Sequence, residues 1–317
     1  MKRAFPVSIA MLSLTLAAAC APSPSAADDG PITHVAFSGP LIAARTTMVA
    51  AWEFPKNPLK DKSLDDSKLA NDIRWGFRLF TSTPAEASQF VPGKISCSNC
   101  HLNAGQRERA LPLVGIAGAF PEYNKRSGRL YTLSDRIVDC FLRSQNATGV
   151  AGVAKDAASL PTTTSKEVLA LNAYITWLAR DYPVGKNPEW RGKNAIATDK
   201  QIPVAKLDPK KGEVLFMERC INCHGMDGQG VAIGEKKAGP LWGPDSWNDG
   251  AGAARVYTLA GIIRYMMPYT YPGSLTDEEA QQIAAFINSK PRPSFPFKEQ
   301  DYLTEKMPPD SVYYPKR

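Results

Sequence analysis

Cys97-Ser98-Asn99-Cys100-His101 constrains this chain more than any other stretch, because it recurs as Cys220-Ile221-Asn222-Cys223-His224. Two cysteines three apart followed at once by histidine form an attachment site for c-type haem. Each thiol adds to one vinyl group of the porphyrin, and the adjacent histidine supplies the proximal imidazole to iron. The chain has six cysteines and three histidines, so the two motifs use four of the first and two of the second. A four-thiolate zinc site would leave both following histidines unexplained. A thioredoxin-like redox pair needs a surrounding βαβ pattern, which is missing. The cofactors expected are two covalently bound haem c groups, with His101 and His224 as proximal ligands.

At 317 residues the chain is long enough for two domains, one for each motif. Residues 1–27 read as an export signal and tether: Lys2 and Arg3 supply the charge, and Ile9 to Ala19 a short apolar run. Cys20 after Ala17-Ala18-Ala19 is placed for a lipid anchor, the alternative being ordinary cleavage near Ala27. Either route puts the body in the periplasm, where this haem is attached. Formal charge is +7, from 38 basic and 31 acidic residues. The surplus forms neither a basic run nor an aromatic-basic stripe, which argues against nucleic acid and suits an anionic substrate or acidic partner.

Apolar residues at helical spacing predict helices over Ser67–Phe80 (Leu69, Ile73, Phe77 and Phe80 on one face), Leu133–Ser144 and Lys166–Leu178. In the second half, Lys210–Arg219 leads into the motif. Thr276 with Glu279 three residues on opens a closing helix that runs to Ile287. The fold class expected is all-α: two cytochrome c-like domains joined by an irregular linker, with wrapping N- and C-terminal extensions. The boundaries are a first domain at 28–182, a Pro-rich charged linker at 183–207, a second domain at 208–290 and a Pro-rich tail at 291–317. His34, in the irregular stretch before the first helix, reads as a solvated loop residue rather than a ligand.

The sixth ligand of each iron decides what the haem does. Met266 and Met267 lie 42 and 43 residues beyond His224, just before Pro268, and suit a methionine loop over the second haem. Met217 and Met226 are too near that motif to reach the far face. A His/Met haem has a raised potential and fits electron transfer. Between His101 and the linker there is no methionine and no further histidine. The soft donor left is Cys140, 39 residues past His101, an odd cysteine in an oxidising compartment. Helical spacing sets Arg136, Cys140 and Arg143 on one side, where two guanidinium groups would favour the thiolate. Arg136 and Arg143, with Arg107, Arg109 or Arg126, are candidates to bind a small oxyanion.

Cys97 to Gly105, Phe120-Pro121-Glu122-Tyr123 and Arg136-Ile137-Val138-Asp139-Cys140-Phe141-Leu142-Arg143-Ser144 together resemble the dihaem thiosulfate dehydrogenases. Gly239 to Gly252 and Met267-Pro268 agree, so the likeness covers most of residues 60–290. The resemblance implies Cys140 as distal ligand of an active-site haem opposite His101. On an electron-exit haem it implies His224 and a methionine of the Met267 type as the ligands. It implies the coupling of two thiosulfates into tetrathionate, with electrons leaving to a soluble c-type cytochrome or other periplasmic acceptor. Some members carry Lys-Met where this chain has Met266-Met267, and a shorter Asn-Gly turn where it has Asn146-Ala147-Thr148-Gly149. A pure electron carrier and a thiolate-haem subunit of a larger sulfur-oxidising complex are the rival classes. Methionine on both irons would mark the first, and dependence on a partner subunit the second.

Overall fold

A computed structural model describes residues 37–44, 54–148, 160–233 and 236–315, and the account below concerns these. Cys20, His34 and the export segment lie outside them. A short pair, β1 (Phe37–Ser38) with β2 (Leu41–Ile42), lies beside Gln106–Glu108: Ile42 N–H donates to Gln106 O at 2.8 Å.

Helix α1 (Lys68–Thr81) starts where Ser67 Oγ accepts from Ala70 N–H at 3.2 Å, satisfying an end donor. It buries Ile73, Phe77 and Phe80 as the spacing predicts, but Leu69 is 59% exposed. The core-facing stripe shifts toward Gly76, because that is where the partner helix crosses. A Cβ on Gly76 would lie 2.0 Å from Ala170 O on α5. After α1 come α2 (Thr83–Glu86), the turn holding the first motif, a short α3 (Leu102–Gly105) and a hairpin of β3 (Glu122–Asn124) and β4 (Arg129–Tyr131). Helix α4 (Leu133–Arg143) is opened by reciprocal bonds between Thr132 and Asp135. Helix α5 (Lys166–Leu178) closes this half with Val168, Leu171, Tyr174, Ile175 and Leu178 inside.

The second half repeats the plan. Helix α6 (Pro209–Arg219) leads into α7 (Ile221–His224), which carries the second motif; a small hairpin follows, β5 (Ala232–Ile233) with β6 (Lys236–Lys237). Helix α8 (Val256–Met266) is not apparent from apolar spacing, since it is apolar nearly all round and carries Gly261 inside. Helix α9 (Asp277–Asn288) has the Thr276–Glu279 cap that its sequence predicts. It crosses α6 as α5 crosses α1: a Cβ on Gly212 would lie 2.0 Å from Gln282 O. Phe216 and Phe286 meet there with ring centroids 5.4 Å apart.

Each half has its own apolar core. A third, smaller cluster joins them, with Met266 against Leu102 and Ala110. The described residues all fall within one compact unit. Linker and tail are part of it. Trp190 Nε1 donates to Val114 O at 3.0 Å, Ile202 N–H to Gln281 Oε1 at 2.8 Å, and Tyr302 N–H to Arg126 O at 2.7 Å. No helix among the described residues is long and apolar enough to cross a membrane.

Candidate functional site

The first motif is wound tightly. Ser96 and Asn99 cap it reciprocally, and His101 N–H donates to Cys97 O at 2.9 Å, so both thiols and the imidazole come to one wall of a cavity. His101 Nδ1 lies 2.6 Å from Leu111 O. A carbonyl only accepts, so Nδ1 carries the proton and Nε2 keeps its lone pair. Burial pushes the imidazole down to about 4, which keeps it neutral and ready to ligate. The loop that delivers this carbonyl has Asn103, Ala104 and Leu111 at φ of 52°, 56° and 52°, a left-handed backbone seldom adopted by such residues.

Helix α4 brings Cys140 into the same cavity, which encloses about 1180 Å³ of empty space, partly open to solvent. Phe80, Ile137, Leu171 and Ile175 give it an apolar lining, and Arg136 supplies a cation. Arg136 Nη1 donates to Cys140 Sγ at 3.2 Å. Burial pushes the thiol above its ordinary value even though Arg136, Arg126 and Arg143 pull the other way. The arginines thus favour the thiolate, as their spacing predicts, while desolvation and the Asp139 carboxylate oppose it.

The expectation for Arg143 is corrected. It shares a side of α4 with Cys140 by period, but it does not line the cavity. Its guanidinium is 6% exposed, donates to Asp139 Oδ1 at 2.6 Å and grips Asp301 at 2.7 and 2.8 Å. Arg107 is buried against Ala44 O and Tyr269, Arg109 lies over the Tyr265 ring, and Arg126 donates to Gly250 O at 2.8 Å. Among the described residues, the cavity's other cation is Arg191, from the linker, paired to Glu122 at 2.6 Å. Sequence reasoning missed it because nothing in a Pro-rich charged stretch says which charge folds back. It also missed Gln145, which lines the cavity, is 4% exposed and leaves Oε1 without a hydrogen bond.

The second motif has the same local geometry: His224 N–H donates to Cys220 O at 2.9 Å, and Gly230 N–H to His224 O at 2.8 Å. Gly225, at φ 72°, lets the chain turn away at once. Burial holds the His224 imidazole below its ordinary value. Met266 is 2% exposed and packs on Leu102 and Ala110, while Met267 is only partly buried at the end of α8. Both methionines therefore sit at the seam between the halves, Met266 the deeper of the two.

Unbridged thiols at both motifs, a neutral imidazole with a free Nε2 and an apolar cavity all fit a porphyrin held by two thioethers. Among the described residues no three His, Cys, Asp or Glu side chains converge on a metal-ion site of their own, which leaves a zinc reading without support. The SoxA/TsdA cytochrome c domain matches residues 87–184, and the cytochrome c domain matches residues 209–290. The chain is 38% identical over 242 residues to a thiosulfate dehydrogenase of Allochromatium vinosum, covering 73% of this chain and 82% of that one. It is 33% identical to another from Psychrobacter arcticus, over 79% of this chain and 72% of that one. A third, from Thiomonas intermedia, is 30% identical over 92% and 86%. Among solved structures, the thiosulfate dehydrogenase (TsdBA) from Marichromatium purpuratum in its as-isolated form superimposes with TM-score 0.63 and 33% identity. That match covers 76% of this chain and 52% of that one, so this chain spans about half its length.

Proposed function

Because this chain belongs to the dihaem thiosulfate dehydrogenase family, we propose that it is a periplasmic cytochrome joining two thiosulfates into tetrathionate at its first haem and passing the two electrons through its second to an external acceptor. The two cytochrome c domains carry two covalently bound haem c groups. His101 and Cys140 would ligate the first iron, His224 and Met267 the second, with thioethers at Cys97, Cys100, Cys220 and Cys223. When bound, such a pair supplies one-electron acceptors, a thiolate-ligated iron having the lower potential and a His/Met iron the higher.

The observation that carries this reading is Cys140 in one cavity with Cys97, Cys100 and His101, its sulfur receiving a hydrogen bond from Arg136. The substrate is a dianion with a soft outer sulfur. Arg136 can take its sulfonate oxygens through charge-assisted bonds while the outer sulfur meets Cys140 Sγ. Ser144 and Gln145 line the same wall and add neutral hydrogen-bonding groups. Oxidation then joins Cys140 Sγ to the outer sulfur, and a second thiosulfate displaces Cys140 to give tetrathionate. Net, one sulfur–sulfur bond forms and two electrons leave. The acceptor is a soluble c-type cytochrome or similar carrier, and a lipid anchor at Cys20 would hold the enzyme at the membrane.

Replacing Cys140 by Ala tests the reading. Thiosulfate-dependent reduction of ferricyanide should be lost while both haems stay covalently attached. Turnover that survives with both haems in place excludes a catalytic thiolate.

A further inference from the structure

Arg136 does not act on Cys140 alone; its side chain, about 45% exposed, meets the end of a buried run of charges (Asp139, Arg143 and Asp301) that begins in the C-terminal tail. Arg136 Nη1 lies 3.2 Å from Cys140 Sγ and 3.4 Å from Asp139 Oδ2. Asp139 Oδ1 accepts from Arg143 Nε at 2.6 Å. Arg143 Nη1 and Nη2 donate to the two oxygens of Asp301 at 2.8 and 2.7 Å, and Tyr314 Oη donates to Asp301 as well. Arg143, Asp139 and Asp301 are 6, 7 and 2% exposed, so water does not dilute these contacts. The Phe295 ring lies 4.0 Å from the Arg143 guanidinium, and Gly250 O accepts from Nη1 at 3.2 Å.

Asp139 is contested. It has a short bond to Arg143 and a long one to Arg136. The more of Asp139 that Arg143 takes, the more Arg136 is left to Cys140. Asp301 holds the outer edge of Arg143 and thereby fixes the division. We propose that Asp301 is a positioning residue: it sets how strongly Arg136 donates to Cys140 Sγ, and so tunes the potential of the first haem. A hydrogen bond to a metal-bound sulfur draws charge from it and raises the potential. The inference rests on the reading that Cys140 ligates that haem. Nothing local in the sequence suggests it, since Asp301 lies 158 residues from Arg143.

The test is redox titration of the dihaem protein in two variants. Asp301→Asn keeps the shape and removes the charge. Arg143 should then turn both edges to Asp139, Arg136 should move toward Sγ, and the first haem's potential should rise. Arg143→Met combined with Asp301→Leu removes a matched pair of buried charges, which such sites tolerate. Asp139 is then left to Arg136 alone and draws it from the sulfur, so the potential should fall. The second haem should stay where it was in both. A merely structural brace would shift both haems together or neither. If Asp301→Asn does not fold, the fall in the double variant decides the matter. Shifts of the same sign, or none, with thiolate coordination still visible in the optical spectrum, overturn the inference. Absence of that coordination in the unaltered protein defeats the ligation reading instead.

Discussion

The placement of single side chains follows the chemistry of their neighbours more than their own spacing. Met266 and Met267 are adjacent and share the seam cluster with Leu102 and Ala110, but Met266 is fully buried there while Met267, at the end of α8, is only partly buried. Met267→Ala should remove sulfur coordination from the second haem and lower its potential. Met266→Ala should leave the optical spectrum unchanged and destabilise the fold by about 2–5 kcal/mol, the usual cost of emptying a buried site, read from denaturant unfolding. Gln145 leads to a substrate prediction. It lines the cavity and its buried Oε1 has no hydrogen bond; half a turn about its last bond brings N–H₂ where Oε1 now lies. Gln145→Leu should raise KM for thiosulfate by about tenfold, the worth of one hydrogen bond to a charged group, with kcat changed less. An unchanged KM would remove Gln145 from the binding wall. At this scale the odd cysteine was legible, because four thiols were already spoken for and one segment lacked any other soft donor. The roles of Arg143 and Arg191 were not. Helical period says which side of α4 Arg143 shares, but acids from a remote tail decide where its guanidinium goes.

Elements were legible where an end signal and a face agreed. The Thr276–Glu279 cap names its own helix start; the Thr132–Asp135 cap on α4 and the one-way bond from Ala70 N–H to Ser67 Oγ on α1 emerge from the structure. Helix α8 gave no such signal, being apolar on nearly every side, and its assignment depends on what surrounds it. The two halves also share a device that spacing alone did not reveal. Gly76 on α1 and Gly212 on α6 each press against a carbonyl of the closing helix, Ala170 O and Gln282 O, where a Cβ would sit at 2.0 Å. A backbone oxygen cannot swing aside as a side chain could. Gly76→Ala and Gly212→Ala should therefore force the helices apart, each costing about 1–3 kcal/mol as overpacking does. That cost outweighs the gain in helix propensity, which for Ala over Gly is at most about 1 kcal/mol. Urea unfolding checks the sign: a variant more stable than the parent would mean that the crossing is looser than its geometry implies.

For the whole molecule, the repeat of two haem motifs announced two similar halves, but not how firmly they are tied. The ties come from segments with no period of their own. Asn248 N–H donates to Arg143 O at 3.1 Å, and its side chain to Leu142 O at 2.8 Å, holding the end of α4 from the second half. Asn99, inside the first motif, donates to Lys237 O at 3.2 Å on β6. The tail then straps both sides: Asp301 and Tyr302 bind Arg143 and Arg126 O, while Asp310 accepts from Tyr257 N–H at 2.9 Å at the start of α8. Pro-rich and charged stretches read as connectors because their apolar residues are sparse, and what they contribute is hydrogen bonds and ion pairs that spacing cannot foretell. With the tail in place, unfolding either half would break contacts that the other half needs, so calorimetry should record one transition for the complete chain. A chain ended at Lys290 leaves the Arg143 guanidinium buried without Asp301, a loss of about 3–5 kcal/mol for a broken buried pair. The second half loses the Lys298–Asp249 ion pair and the bonds that Tyr257 N–H and Phe295 N–H make with the Asp310 and Asp249 carboxylates. With both halves losing tail contacts, the shortened chain should show two transitions, each below that of the complete chain. Two transitions in the complete chain, or one in the shortened chain, would mean that the tail does not couple the halves.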